Sequence, residues 1–138
     1  MLNTSSLKKA IDALTRSLNI VGKRQKEMGD DLFETVKAGV IQNFEVAYEL
    51  SWKFIQRWIK ENRTPEDATH PRTRKDLFRL AARLELIKDP LPWFTYGDAR
   101  NLTSHTYDGK KADIVYQAAE SFLEDAKYLL EQLDSHND

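Results

Sequence analysis

Apolar residues return at steps of three and four through most of this chain, the period of an α-helix with one face turned inward. Leu7, Ile11, Leu14, Leu18 and Val21 draw one such stripe, which predicts a helix over about Ser5 to Lys26 with a stop near Gly29. A longer stripe, from Phe33, Val36, Val40, Phe44, Ala47 and Tyr48 to Trp52, Ile55, Trp58 and Ile59, predicts a helix over about Asp31 to Asn62. At 1.5 Å per residue, roughly 30 residues of helix run about 45 Å, the central beam of a bundle. In "RTPEDATHPR" the prolines Pro65 and Pro71 withdraw backbone donors and mark a connection. A shorter third helix is expected from near Pro71, a residue suited to a first turn, with Leu77, Phe78, Ala81 and Leu84 facing inward. "KDPLPWF" breaks it, and Asp89 with Pro90 forms a cap and first-turn pair for a fourth helix, about Leu91 to His105, carrying Trp93, Phe94 and Leu102. "YDGKKAD" ends that helix at Gly109. The last helix, about Lys111 to Leu133, shows Ile114, Ala118, Phe122, Leu129 and Leu133 before a polar tail.

Five glycines and four prolines in 138 residues punctuate the chain sparsely, and runs of β-branched residues are few. The pattern is all-α, an up-and-down bundle of four to five helices, and the length suits a single domain, residues 1–138, around one core. Neither an internal repeat nor a low-complexity segment stands out.

Charge and composition narrow the chemistry. Lys+Arg 21 against Asp+Glu 22 gives a formal net charge of -1, so no global basic field favours nucleic acid and any RNA contact is local or shared between chains. The absence of cysteine removes disulfides, thiolate nucleophiles and cysteine-dependent zinc sites, and is compatible with a cytoplasmic protein. Apolar residues are dispersed among charges, with no run near the ~20 that a membrane helix needs, and "MLNTSSLKK" lacks the apolar segment of a signal peptide. The expectation is a soluble cytoplasmic protein without membrane contact.

Candidate functional groups are few. The di-iron pattern of helical bundles, Glu-x-x-His on two helices, does not occur, so no metal site is expected in this chain. Glu45 and Glu49 share one face of the long helix, and Glu49 with Lys53 has the spacing of an ordinary helix ion pair, which favours a salt bridge at the bundle edge over a catalytic role. His70, in the proline-rich connection, and His136, in the tail, read as surface residues. In "DARNLTSHTYDGKKAD", at about 100° per residue, Asn101 and His105 would sit about 40° apart on one helical face. Arg100 and His105, about 140° apart, would straddle a groove. A planar, permanently charged arginine suits phosphate oxygens, and histidine titrates nearest neutrality, so the pair fits phosphodiester chemistry. A histidine near a helix C-terminus is also favoured by the macrodipole without any chemistry. Trp52, Trp58, Trp93 and Phe94 fit a core or an oligomer interface better than a base-stacking platform.

The string "RNLTSHTY" resembles the arginine, four residues, histidine, one residue, tyrosine signature of the HEPN superfamily, small prokaryotic helical bundles found beside minimal nucleotidyltransferases. "VIQNFEVAYELSWKFIQRWI" resembles the long second helix of its nucleotidyltransferase substrate-binding subfamily. "PRTRKDLFRLAARLELIKDPLPWF" resembles the segment that follows, in which that subfamily usually has a glycine near Glu85. The likeness covers about Val36 to Tyr107. It implies either a toxin-type, metal-independent ribonuclease controlled by its nucleotidyltransferase partner or a non-catalytic subunit that holds a substrate or nucleotide for that partner. A purely structural scaffold is the third possibility. In the ribonuclease, Arg100 and His105 would be catalytic and Tyr107 would be the residue the partner adenylates. The resemblance also implies a homodimer. Asn101 would then position a phosphate or orient the histidine, and Glu45 or Glu49 would pair with Arg100 across the bundle. No cofactor belongs to this chain in that picture, since the partner would use a nucleoside triphosphate and a divalent metal.

Overall fold

A 33-residue helix, α2 (Asp30–Asn62), is the longest element of the computed structural model, which describes residues 2–136. Its sequence supplies an apolar stripe from Val40 to Ile59, and its length, about 50 Å at 1.5 Å per residue, spans the molecule. The helix α1 (Ser5–Arg24) turns back on it through a single 3-10 turn at Gln25–Glu27, and Leu7, Ile11, Leu14 and Val21 are all buried. The C-terminal α6 (Gly109–Ser135) packs against both, and α5 (Pro90–Asn101) packs against α6 and α2. Between them, α4 (Arg74–Arg83) bridges α2 and α5, and the five-residue α3 (Pro65–Thr69) caps the end of α2. The chain is an all-α bundle, as its periodicity predicts. Among the described residues, no helix is long and apolar enough to cross a membrane.

Several boundaries differ from the sequence reading, each for a local reason. The proline-rich connection contains α3, because Thr64 accepts a hydrogen bond from Asp67 N (3.2 Å) ahead of Pro65 at the first helical position. The next helix starts at Arg74 rather than near Pro71, because Thr73 caps it by accepting from Asp76 N at 3.1 Å. The helix expected over Leu91 to His105 ends at Asn101, and residues Thr103–His105 form a separate 3-10 turn. Thr103 Oγ1 donates to the Arg100 carbonyl (2.8 Å), a local bond of the kind that competes with helix continuation. Gly109 opens α6 instead of closing α5, since Asp108 caps that helix by accepting from Lys110 N (2.9 Å) and Lys111 N (3.4 Å). Ile114, expected on the inner face of the last helix, is 52% exposed, while its neighbour Val115, about 100° further round, is buried.

The loop after α4 closes in a left-handed turn. Leu86 N donates to Ala81 O (2.9 Å) and Glu85 N to Ala82 O (3.1 Å), the paired bonds of a Schellman motif, with Glu85 at φ 63°. A residue with a Cβ is strained there by roughly 1–2 kcal/mol. Glu85→Gly is expected to raise stability by about 0.5–1 kcal/mol, after the extra freedom of glycine in the unfolded chain is subtracted. A thermal melt checks it, and a lower midpoint for the variant counts against the left-handed turn.

The core is most aromatic where α2, α4, α5 and α6 meet. Phe122 stands edge-on to Phe44 (5.3 Å), Trp93 (5.5 Å) and Tyr96 (5.3 Å), and Phe78 lies 5.3 Å from Trp93. The Tyr96 hydroxyl reaches α6, where it donates to the Asp125 carboxylate and lies 3.2 Å from the Ser121 carbonyl. Burial pushes the Tyr96 phenol far above its usual range, and the bond to Asp125 adds to the shift. Aromatic packing and this polar tie together hold α5 against α6.

Candidate functional site

Arg100 lies in the last turn of α5, where a cation complements the negative end of the helix dipole. Its side chain crosses to α2. Nε donates to Glu49 Oε1 at 2.8 Å, and Nη2 lies 3.5 Å from Glu45 Oε1. Glu45 and Glu49 are one helical turn apart and so present two carboxylates to one guanidinium. Nη1 reaches Thr103 Oγ1 at 3.4 Å, which ties the fork to the 3-10 turn that follows. The fork is therefore oriented from three sides while remaining 31% accessible.

Glu49 serves more than Arg100. Its Oε2 accepts from Trp52 Nε1 at 3.0 Å, and Arg74 Nη1 approaches its Oε1 at 3.9 Å. The salt bridge at the bundle edge is present, but Glu49 meets Arg100 and Arg74 rather than Lys53, because α5 and α4 pack onto this face of α2. Lys53 lies over the Trp52 ring instead, 5.6 Å from its centroid.

His105 and Tyr107 stand beyond the end of α5. His105 closes the 3-10 turn and is exposed; its ring meets that of Tyr107 edge-on, with centroids 6.1 Å apart. Tyr107 is 85% exposed, at the tip of the reversal between α5 and α6. Because α5 ends at Asn101, Asn101 and His105 do not share a helical face. Asn101 instead lines a cavity formed with residues of α2 and α4. His70 and His136 are surface residues, and the carbonyl of His136 accepts from Trp58 Nε1 at 3.3 Å.

That cavity, of about 340 Å³, lies between α2, α4 and α5. Trp52 and Phe94 are half-buried and contribute to its lining, so two of the aromatics expected in the core or an interface are accessible from it. Tyr48 and Gly97 also line it. The Tyr48 hydroxyl is enclosed and, among the described residues, meets no partner in full hydrogen-bond geometry; burial raises its phenol above the usual range, and the neighbouring Arg74 works against that rise. A Cβ on Gly97 would lie 2.9 Å from Tyr48 Oη, so glycine is what lets α5 approach α2 here. Gly97→Ala is expected to lose about 1 kcal/mol, since overpacking costs about 1–3 kcal/mol and alanine returns roughly 1 in helix propensity. In a Tyr48→Phe background the same change is expected to stabilise. A double-mutant cycle by urea unfolding reads both, and additive effects of the two changes would refute the contact.

Sequence reasoning passed over Arg74 and this cavity. The signal available was the Thr73 to Asp76 cap, which sets Arg74 and Lys75 in the first turn of α4.

A family model described as nucleotidyltransferase substrate binding protein like matches residues 2–135. A protein of Haemophilus influenzae named probable ribonuclease HepT is 43% identical over 104 residues, 75% of this chain and 71% of that protein. A solved structure from Haemophilus influenzae, described as revealing the fold of a substrate binding domain of a nucleotidyltransferase, matches with a TM-score of 0.88 at 36% identity, over 96% of this chain and 99% of that one. A crystal structure from Thermus thermophilus shares the fold at a TM-score of 0.73 and 22% identity, over 92% of this chain and 98% of that one.

Proposed function

Because the chain belongs to the nucleotidyltransferase substrate-binding family of HEPN proteins, we propose that it pairs in the cytoplasm with a separately encoded minimal nucleotidyltransferase and acts as a toxin-type endoribonuclease under that partner's control. The observation that carries this reading is the arginine fork oriented by Glu45 and Glu49 at the head of an exposed turn bearing His105 and Tyr107. An imidazole and a guanidinium suit cleavage in which the RNA 2′-hydroxyl attacks the adjacent phosphorus, the 5′-oxygen leaves with a proton and a cyclic phosphate remains. One group must remove a proton and another must supply one. A twofold dimer provides both, because an isologous interface brings two copies of one surface together. One His105 is then base and the other acid, with Arg100 stabilising the charge that develops on phosphorus.

Control follows from Tyr107. In the partner's reaction, which uses a nucleoside triphosphate and a divalent metal, the phenolic oxygen attacks the α-phosphorus, pyrophosphate leaves and the phenolic proton passes to solvent. An adenylate on Tyr107 adds bulk and negative charge beside His105, where the substrate phosphate must approach.

The test is incubation of the purified chain with total RNA in chelator. The native chain is expected to cut, and Arg100→Ala to cut at least about 100-fold more slowly, the usual loss when a donor to transition-state charge is removed. RNA left intact by the native chain, with or without added divalent metal, rejects the ribonuclease. The cavity beside Arg100 favours a second reading, a non-catalytic substrate-binding subunit, which would show ligand-dependent stabilisation without cleavage.

A further inference from the structure

The cavity between α2, α4 and α5 stands apart from the arginine and histidine pair but is joined to it through two residues. Asn101 lines it from the end of α5, and Glu49 holds both Arg100 and the cavity residue Arg74. Its volume of about 340 Å³ falls within the ~300–1,000 Å³ of small-molecule sites.

Three kinds of group converge there. Trp52 and Phe94 offer ring surface that the core does not fully absorb. Arg72, Arg74 and Lys75 outnumber the one carboxylate of the lining, Asp98, so the cavity is locally positive in a chain of net charge -1. The cations already lie over the rings: the Arg74 guanidinium is 4.3 Å from the Trp52 centroid, and Lys75 Nζ is 5.4 Å from that of Phe94. Behind them the Tyr48 hydroxyl is enclosed beside Arg74 and, among the described residues, meets no partner in full hydrogen-bond geometry, so it has capacity left for a polar edge. A ligand that uses all three needs a flat π-system, a polar edge and an anionic group. Inorganic phosphate uses only the cations, and an apolar ligand uses only the rings.

We infer that this cavity is a nucleotide subsite, in which Arg74 and Lys75 swing off the Trp52 and Phe94 rings to hold a phosphate with Arg72 and leave the ring faces to one unpaired nucleobase. Asp98 and Asn101 are placed to read the edge of the base. Arg74 Nη1 lies 3.9 Å from the Glu49 oxygen that holds Arg100, so a phosphate drawn to Arg74 acts on the same carboxylate that orients the cleavage fork. The inference deepens the proposed function and rests on it only for the source of the nucleotide, which is either a residue of the RNA strand beside the cut or a free mononucleotide.

The full chain is titrated with AMP, UMP, inorganic phosphate and a short 2′-O-methyl oligonucleotide, which cannot be cut through a 2′-hydroxyl. Thermal midpoint and tryptophan fluorescence are the readouts. The oligonucleotide or a mononucleotide is expected to bind, phosphate alone to bind at least 10-fold more weakly, and Arg74→Ala with Lys75→Ala to weaken binding by at least 10-fold. Trp52→Ala is expected to lose about 10- to 100-fold, the usual worth of a base stack. Because Trp52 packs on the core, the Arg74 and Lys75 variants carry the decision where Trp52→Ala fails to fold. Oligonucleotide without mononucleotide binding assigns the strand as the source, and mononucleotide binding assigns the free nucleotide. No nucleotide binding, binding unchanged in the variants, or phosphate equal to AMP overturns the subsite. Cleavage of total RNA, followed in parallel, separates the two claims. Intact RNA with Arg74-dependent binding removes the nuclease and keeps the cavity, whereas cut RNA with unchanged binding does the reverse.

Discussion

His105→Ala is expected to slow RNA cleavage by roughly 100- to 10,000-fold, the range that a positioned acid or base contributes. Stability should stay within about 0.5 kcal/mol of the native chain, because the side chain is exposed at the end of a 3-10 turn. The comparison is informative for that reason: a loss of cutting with an unchanged melt belongs to the chemistry and not to the fold. A mixing experiment probes the dimer. If each cleft needs His105 from both protomers, native and variant chains exchanged one to one retain about a quarter of the native activity, since only native homodimers cut. A retained half would mean that each protomer cuts alone, and the two-histidine scheme would have to be abandoned.

Phe122→Ala is expected to have the largest effect on stability, a loss of about 3–5 kcal/mol. The ring is fully buried and edge-on to Phe44 of α2 and to Trp93 and Tyr96 of α5, so its removal opens a void that three helices cannot close without moving. Against a typical total of about 5–15 kcal/mol, such a loss brings the chain near its unfolding threshold. Urea unfolding gives the value, and a midpoint equal to the native one would show that the four-helix junction does not depend on this ring. The same residue bears indirectly on function, since α2 and α5 carry Glu49 and Arg100.

The long stripes were the most legible part of the chain. Leu7, Ile11 and Leu14, and the run from Val40 to Ile59, need only helical periodicity to be placed inside, because a helix exposes a fixed face at every third or fourth residue. Boundaries were less legible wherever a hydroxyl or carboxylate caps a helix from outside the apolar pattern. Thr64, Thr73 and Asp108 each start a helix that hydropathy puts elsewhere, and Thr103 takes part in the stop after Asn101. Ile114 failed for a related reason, as an apolar residue one position out of phase with Val115.

The site divides in the same way. Arg100, His105 and Tyr107 were legible as a string because their spacing is a property of the chain. The pairing of Arg100 with Glu45 or Glu49 was only a guess at placement across the bundle, and the salt bridges contain both. The cavity was not, since Tyr48, Trp52, Arg74, Gly97 and Asn101 come from three helices and share no local pattern.

Taken alone, the amino-acid order was enough to specify an all-helical bundle, most of its inward faces and the spacing of an arginine, a histidine and a tyrosine. That both Glu45 and Glu49 meet Arg100, that Asn101 lines a cavity, and that a glycine opposite Tyr48 borders the same charged aromatic cavity all depended on how α4 and α5 close onto α2. Periodicity is a property of one helix, whereas a side chain's partner is set by a second surface whose distance and rotation no single segment encodes.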